Sequence, residues 1–251
     1  ALSALDQTQV QSLTSTQVGG LTAAQLKSLS TTDFGEFTST QVGGFTAAQL
    51  GALSAANVSA LDQTEVQALS STQLAGLTST QLKGLTATDV GEFTTTEIGL
   101  LSTAQLSALS ATAFSALTQT QVQTLSTTQI GALTNSQLQG LSTTDIGEFT
   151  STQIAALSSG QFGALSATNV AALSSTQLAA LTATQIGGLS NASLSALDQT
   201  QVQSLTSTQV GGLTTPQLKS LSTTEPINHP PEVCPTALEE PQACRPVDSL
   251  V

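Results

Sequence analysis

The sequence predicts an all-α solenoid of short helices, each of one to two turns, with one helix per eight-residue repeat. Three observations carry this reading. An octad keeps register from Leu5 to Leu221 with no single-residue slip. Inside it, Ser, Thr or Asp is followed three residues later by Gln, Asp, Glu or Asn in most copies. Glycine gathers at the end of the octad, where eighteen of nineteen copies occupy the seventh and eighth positions. A β-solenoid is the alternative architecture.

The octad, typified by LTSTQVGG at Leu13, excludes longer elements. Its first position is Leu or Phe and its sixth is Val, Leu, Ile or Phe, giving apolar spacings of five and three. A helix advances about 100° per residue, so an eight-residue period drifts by about 80° and holds no single face. A continuous strand would place the two apolar positions on opposite faces. Each octad must therefore contain its own change of direction.

The second, fifth, first and sixth positions match N-cap, N3 and the two members of a hydrophobic staple. Thr14, Thr22, Ser30 and Thr38 are thus expected as N-caps. Glycine at the seventh and eighth positions predicts a left-handed exit that stops each helix. Pro216 falls in a first turn, where no helical amide bond is lost. A helix this short is unstable alone, so octads are expected to stack and share one apolar interior, as solenoid repeats do. Two buried aliphatic side chains per octad contribute about 3–6 kcal/mol gross. Backbone ordering costs about 1–2 kcal/mol per residue, so stability must be collective.

A longer period of seven octads overlies the first. LDQTQVQ at Leu5 recurs as LDQTEVQ at Leu61 and LTQTQVQ at Leu117. From Leu173 the order jumps, as if four whole octads were missing, and LDQTQVQ restarts at Leu197. Loss in whole octads marks the octad as the removable unit. The opening ALSA matches the end of an octad, which suits a piece of a longer array or an open end that docks on another molecule.

Residues 1–224 form the repeat region, and 225–251 a distinct segment holding six of the seven prolines, the single His229 and Arg245, and both cysteines. Cys234 and Cys244 read as a disulfide of an oxidising compartment. With His229 they lack a fourth ligand and a recognised metal spacing.

Composition removes several function classes. Four basic residues against sixteen acids, a net charge of −12, leave no patch to neutralise phosphates, so nucleic acid is not an expected partner. No apolar run reaches the roughly 20 residues of a membrane span, and no signal peptide is visible. The only histidine lies in the proline-rich segment, away from the abundant serines, so no enzyme activity and no cofactor are expected. The candidate acidic sites are Asp33/Glu36, Asp89/Glu92 and Asp145/Glu148, recurring every 56 residues. They suit helix caps and the helix dipole, and as a binding site they would take calcium. Thr-x-Thr pairs such as Thr14–Thr16 and Thr78–Thr80 raise a binding alternative, a Thr/Gln ladder facing ice or a glycan. Asp6 and Asp62, and Ala24, Ala48, Ala56 and Ala104, interrupt that ladder.

Octads of the form L-[ST]-x-[TA]-Q-[VIL]-x-x, such as LTATQIGG at Leu181, resemble octapeptide tracts of very large secreted bacterial adhesin-like proteins. The resemblance runs from Leu5 to about Thr224. It implies an extracellular or cell-surface location and a role as stalk, spacer or fibre subunit, self-associating end to end, and it transfers no catalytic residues.

Overall fold

A computed structural model describes residues 2–222 of the chain. Residues 225–251, with His229, Cys234 and Cys244, lie outside the described residues. The described chain is all helical: a 3-10 turn at Leu2–Ala4 precedes twenty-seven α-helices, from Gln7–Gln11 to Thr215–Ser222, one per octad. No strand occurs among the described residues.

Each octad starts and stops by the same local chemistry. Thr14 is extended at φ −71° and ψ 157°, and its side chain accepts the Gln17 amide. The Gln17 Oε1 accepts the Thr14 amide at 2.9 Å, closing the capping box. Thr22, Ser30 and Thr38 hold the same position in their helices. After about one turn the chain leaves by a 3-10-type bond, as when Leu21 N donates to the Val18 carbonyl at 3.1 Å. An extended leucine and an extended cap then turn the corner into the next helix; Leu53, for example, has φ −61° and ψ 152°.

The exit expected from glycine is not the one used. Gly20, Gly44, Gly140 and Gly212 end their helices at φ −82°, −83°, −80° and −84°, in the right-handed region open to any residue. No reversal is needed, because the two extended residues that follow supply the bend.

Glycine serves packing between coils instead. A Cβ at Gly76 would lie 2.5 Å from the Ala47 carbonyl oxygen, and one at Gly140 would lie 2.7 Å from the Ala111 Cβ. Glycine at the eighth position thus admits the third residue of the octad three back. A Cβ at Gly51, a seventh position, would lie 2.7 Å from the Gly76 carbonyl oxygen.

Helices that pack closely on each other are three apart in sequence: Ala47–Ala52 on Ser71–Gly76, Ser79–Lys83 on Thr103–Ala108, Asn191–Ser195 on Thr215–Ser222. One coil is therefore three octads, or 24 residues (71 minus 47). The solenoid has three sides, each a column of stacked one-turn helices. First- and sixth-position side chains converge on the axis in one continuous core, from Val10 to Leu213. Phe34, Phe114 and Phe162 fill sixth positions at 2%, 1% and 0% exposure. Phe37 packs between Phe34 and Phe45 at centroid distances of 6.2 and 5.6 Å.

Candidate functional site

Most corners of the solenoid carry a polar rung made by the fifth residue of the octad. Gln105 shows its two ends. Its Oε1 accepts the Ser102 amide at 2.9 Å, and its Nε2 donates to the carbonyls of Leu74 at 2.8 Å and Leu77 at 2.9 Å. Those carbonyls lie 31 and 28 residues back, at the corner of the coil beneath. Gln41, on Val10 and Leu13, and Gln209, on Leu178 and Leu181, repeat this register. In others, such as Gln73 on Gly43 and Phe45, the first carbonyl lies 30 residues back and the second again 28. Glutamine suits this place because one planar group caps its own helix with an acceptor and fastens the coil below with a donor. These amides are nearly enclosed, with Gln81 and Gln209 each at 2% exposure. Both partners are backbone atoms, so a rung does not depend on which octad lies beneath.

Where the fifth residue is not glutamine, the coil below is adjusted or a rung is lost. Asp89 caps its helix through the Thr86 amide, and the Ser59 hydroxyl, 30 residues back, donates to its Oδ2 at 2.5 Å. Asp145 repeats this with Ser142 as cap and the Ser115 hydroxyl as donor. Asp33 closes a capping box with Ser30. Asn57 is one methylene shorter than glutamine. It reaches the Leu29 carbonyl at 3.1 Å, and its own Oδ1 is left buried without a partner.

The acids of the repeating TDxGEF motif do not share one surface. Seven octads are two coils plus one octad, so Asp33, Asp89 and Asp145 fall on three different sides of the solenoid. The structure brings each Asp to a cap rather than to a shared ligand set. Among the described residues no group of three or more Asp, Glu, His or Cys is arranged to hold a metal ion. Glu36, three residues after Asp33, is partly exposed. Glu92 and Glu148 are partly buried, each with an enclosed Oε2 that has no hydrogen-bond partner.

Burial pushes the carboxyl of Glu92 above the ordinary glutamate value, and the charges of Asp89, Asp62 and Glu65 add to it. Burial raises Glu148 in the same way, with help from Asp145. Burial also raises Glu65, against the stabilising amide of Asp62 and with the Asp62 charge.

Two open grooves recur one long period apart. One, of about 520 Å³, is lined by Ala24, Lys27, Ser54 and Thr80. The other, of about 400 Å³, is lined by Thr80, Lys83, Ser110 and Ser136. Each offers one ammonium and several hydroxyls. No helix among the described residues is long and apolar enough to cross a membrane.

A family model for the ALTTAQ repeat matches residues 154–191. No curated protein matches the chain. In the structure, the six letters ALTTAQ correspond to the corner and its capping box: Ala180, Leu181, Thr182, Ala183, Thr184 and Gln185 read ALTATQ within the matched stretch. Leu181 is core, Thr182 caps, and the Gln185 Oε1 accepts the Thr182 amide while its Nε2 donates to the Ala155 and Leu157 carbonyls. The motif thus coincides with the part of the octad that fastens one coil to the next.

The second hand of the glutamine was readable in principle. A capping box accepts Glu as readily as Gln, so the strong preference for Gln pointed to a donor role beyond capping.

Proposed function

We propose that the chain is a structural rod, an extracellular stalk or fibre subunit whose length is set by the number of octads. The observation that carries this reading is the backbone-directed glutamine rung. Because Gln105 and its equivalents hold only carbonyls of the coil below, octads are interchangeable. The four-octad jump before Leu173 then changes length and preserves the fastening: Gln177, beyond the jump, still reaches the Ile146 and Phe149 carbonyls. Coils of another copy offer the same carbonyls, so end-to-end self-association uses the same chemistry. The extracellular or cell-surface location rests on the resemblance to secreted adhesin-like octapeptide tracts. Negative-stain microscopy is expected to reveal unbranched rods of uniform width that lengthen by association at high concentration. Compact particles, or a strictly monomeric profile at high concentration, would count against it.

A second reading, a surface-binding module, is favoured by one specific arrangement. Thr72, Thr96, Thr120, Thr144 and Thr168 are exposed fourth-position residues at steps of one coil. They form a column of five threonines on one side, bounded by Ala48 before it and Ala192 after it. Ala24 and Ala48 lie earlier on this side, and Ala56 and Ala104 fall on another, so the alanines that break the ladder along the sequence do not break this column. An ordered lattice, ice above all, is the ligand such a column would face. Thermal hysteresis that is lost in Thr96→Lys/Thr120→Lys would support that activity, and none in the wild type would end it.

A further inference from the structure

The glutamine rung makes its exceptions informative. Glu65 occupies the rung position of the Gln63–Gln67 helix, and its Oε2 accepts the Asp62 amide at 3.0 Å, the capping half of the rung. The usual offsets of 31 and 28 residues place the carbonyls of Phe34 and Phe37 beneath it. An ionised carboxylate has no proton to give them. One coil above, Glu92 follows the Ala87–Gly91 helix, its enclosed Oε2 lacks a partner, and its carbonyl accepts the Gln67 side chain at 3.3 Å. Asp62, Glu65, Asp89 and Glu92 thus place four carboxyls on two adjacent coils of the same side.

We propose that this region is an acid-strengthened joint: a proton on Glu65 converts it into the donor that glutamine provides elsewhere, and a proton on Glu92 relieves the crowding of four like charges.

The charged groups around the joint are few. Asp33 and Glu36 lie on the octad leading into the corner beneath Glu65, and Lys83 and Glu97 on the helices before and after that of Glu92. The Ser39–Gly43 helix beneath, the Ala111–Ser115 helix above, and the Ala55–Ser59 and Ser71–Gly76 helices on either side carry no charge. Nothing cationic in the joint's own two helices balances the acids.

Burial raises both Glu65 and Glu92 above the ordinary glutamate value, so each binds its proton more tightly folded than unfolded. The cost of ionising them is present in full above their folded values. It is relieved as pH falls through those values, and no further gain accrues below the ordinary glutamate pKa of about 4.3. The solenoid should therefore resist unfolding better in mild acid than at neutrality.

The test is the thermal midpoint of the full chain between about pH 7 and about pH 5, a window above the ordinary carboxylate range. It compares the wild type with Glu65→Gln/Glu92→Gln at low salt and at about 1 M salt, where the screening length is about 3 Å. The wild-type midpoint is expected to rise on acidification. The double variant should start higher at neutral pH and respond less to acid, and the difference in slope should survive high salt because the rung is a short-range bond. Equal slopes in the two proteins, a double variant less stable than wild type at neutral pH, or a difference abolished by salt would each overturn the proposal.

Discussion

The side-chain amide of Gln137 donates to the Leu109 carbonyl at 3.1 Å, across 28 residues of sequence, while its own oxygen accepts the Thr134 amide at 2.9 Å. One side chain therefore begins a helix and binds a coil. That double use explains how helices too short to persist alone make a continuous solenoid.

Replacing Gln105 separates the two uses. Gln105→Glu keeps the capping acceptor and loses the donor. The Leu74 carbonyl keeps the Leu77 amide at 3.1 Å, but the buried Leu77 carbonyl is left without its donor, at about 1–3 kcal/mol. Gln105→Ala loses both. If capping were the whole role, the glutamate variant would be neutral, because Glu is accepted at N3. The converse change, Glu97→Gln, is expected to stabilise, since Glu97 is 5% exposed and its register faces the Val66 and Leu69 carbonyls. Denaturant midpoints, with local hydrogen exchange around residues 74–77, check all three.

Glycine substitutions should divide by position. Gly76→Ala drives a methyl against the Ala47 backbone and should cost several kcal/mol by forcing the coils apart. Gly43→Ala meets nothing within 4 Å and should gain about 0.5–1 kcal/mol from lower backbone entropy in the unfolded chain. Similar effects at both positions would contradict the close-approach role.

Ser59 and Asp89 should behave as a coupled pair. Ser59→Ala leaves the Asp89 carboxylate without its donor from the coil beneath and should destabilise by about 1–3 kcal/mol. In an Asp89→Gln background the glutamine brings its own donor, and the same serine change should cost much less. A double-mutant cycle measures the coupling, and strictly additive effects would show that the two side chains act independently.

Much of this arrangement was legible in the sequence because it is local. The cap, the N3 partner and the staple lie within six residues of each other, so Thr14, Gln17 and Val18 announce one helix per octad, and the absence of a lasting helical or strand face excludes longer elements. The coil of three octads was not legible, because it is fixed by contacts such as Gln41 to Leu13, 28 residues apart. Glycine was misread for the same reason: Gly76 answers to Ala47 on another coil, and its own backbone is an ordinary helix end. The pairing of Asp89 with Ser59, and of Asp145 with Ser115, recurs at one long period and left a trace in the sequence. It could be interpreted only once the three-octad coil set the 30-residue offset.

The most direct measurement of the coil is the distance between spin labels at the exposed Thr72 and at Thr120, Thr144 or Thr168, two, three and four coils on. Stacked helices predict equal increments of about 8–10 Å per 24 residues. Increments near 4.8 Å, the spacing of stacked strands, or distances that fail to grow in equal steps, would contradict a solenoid of one-turn helices.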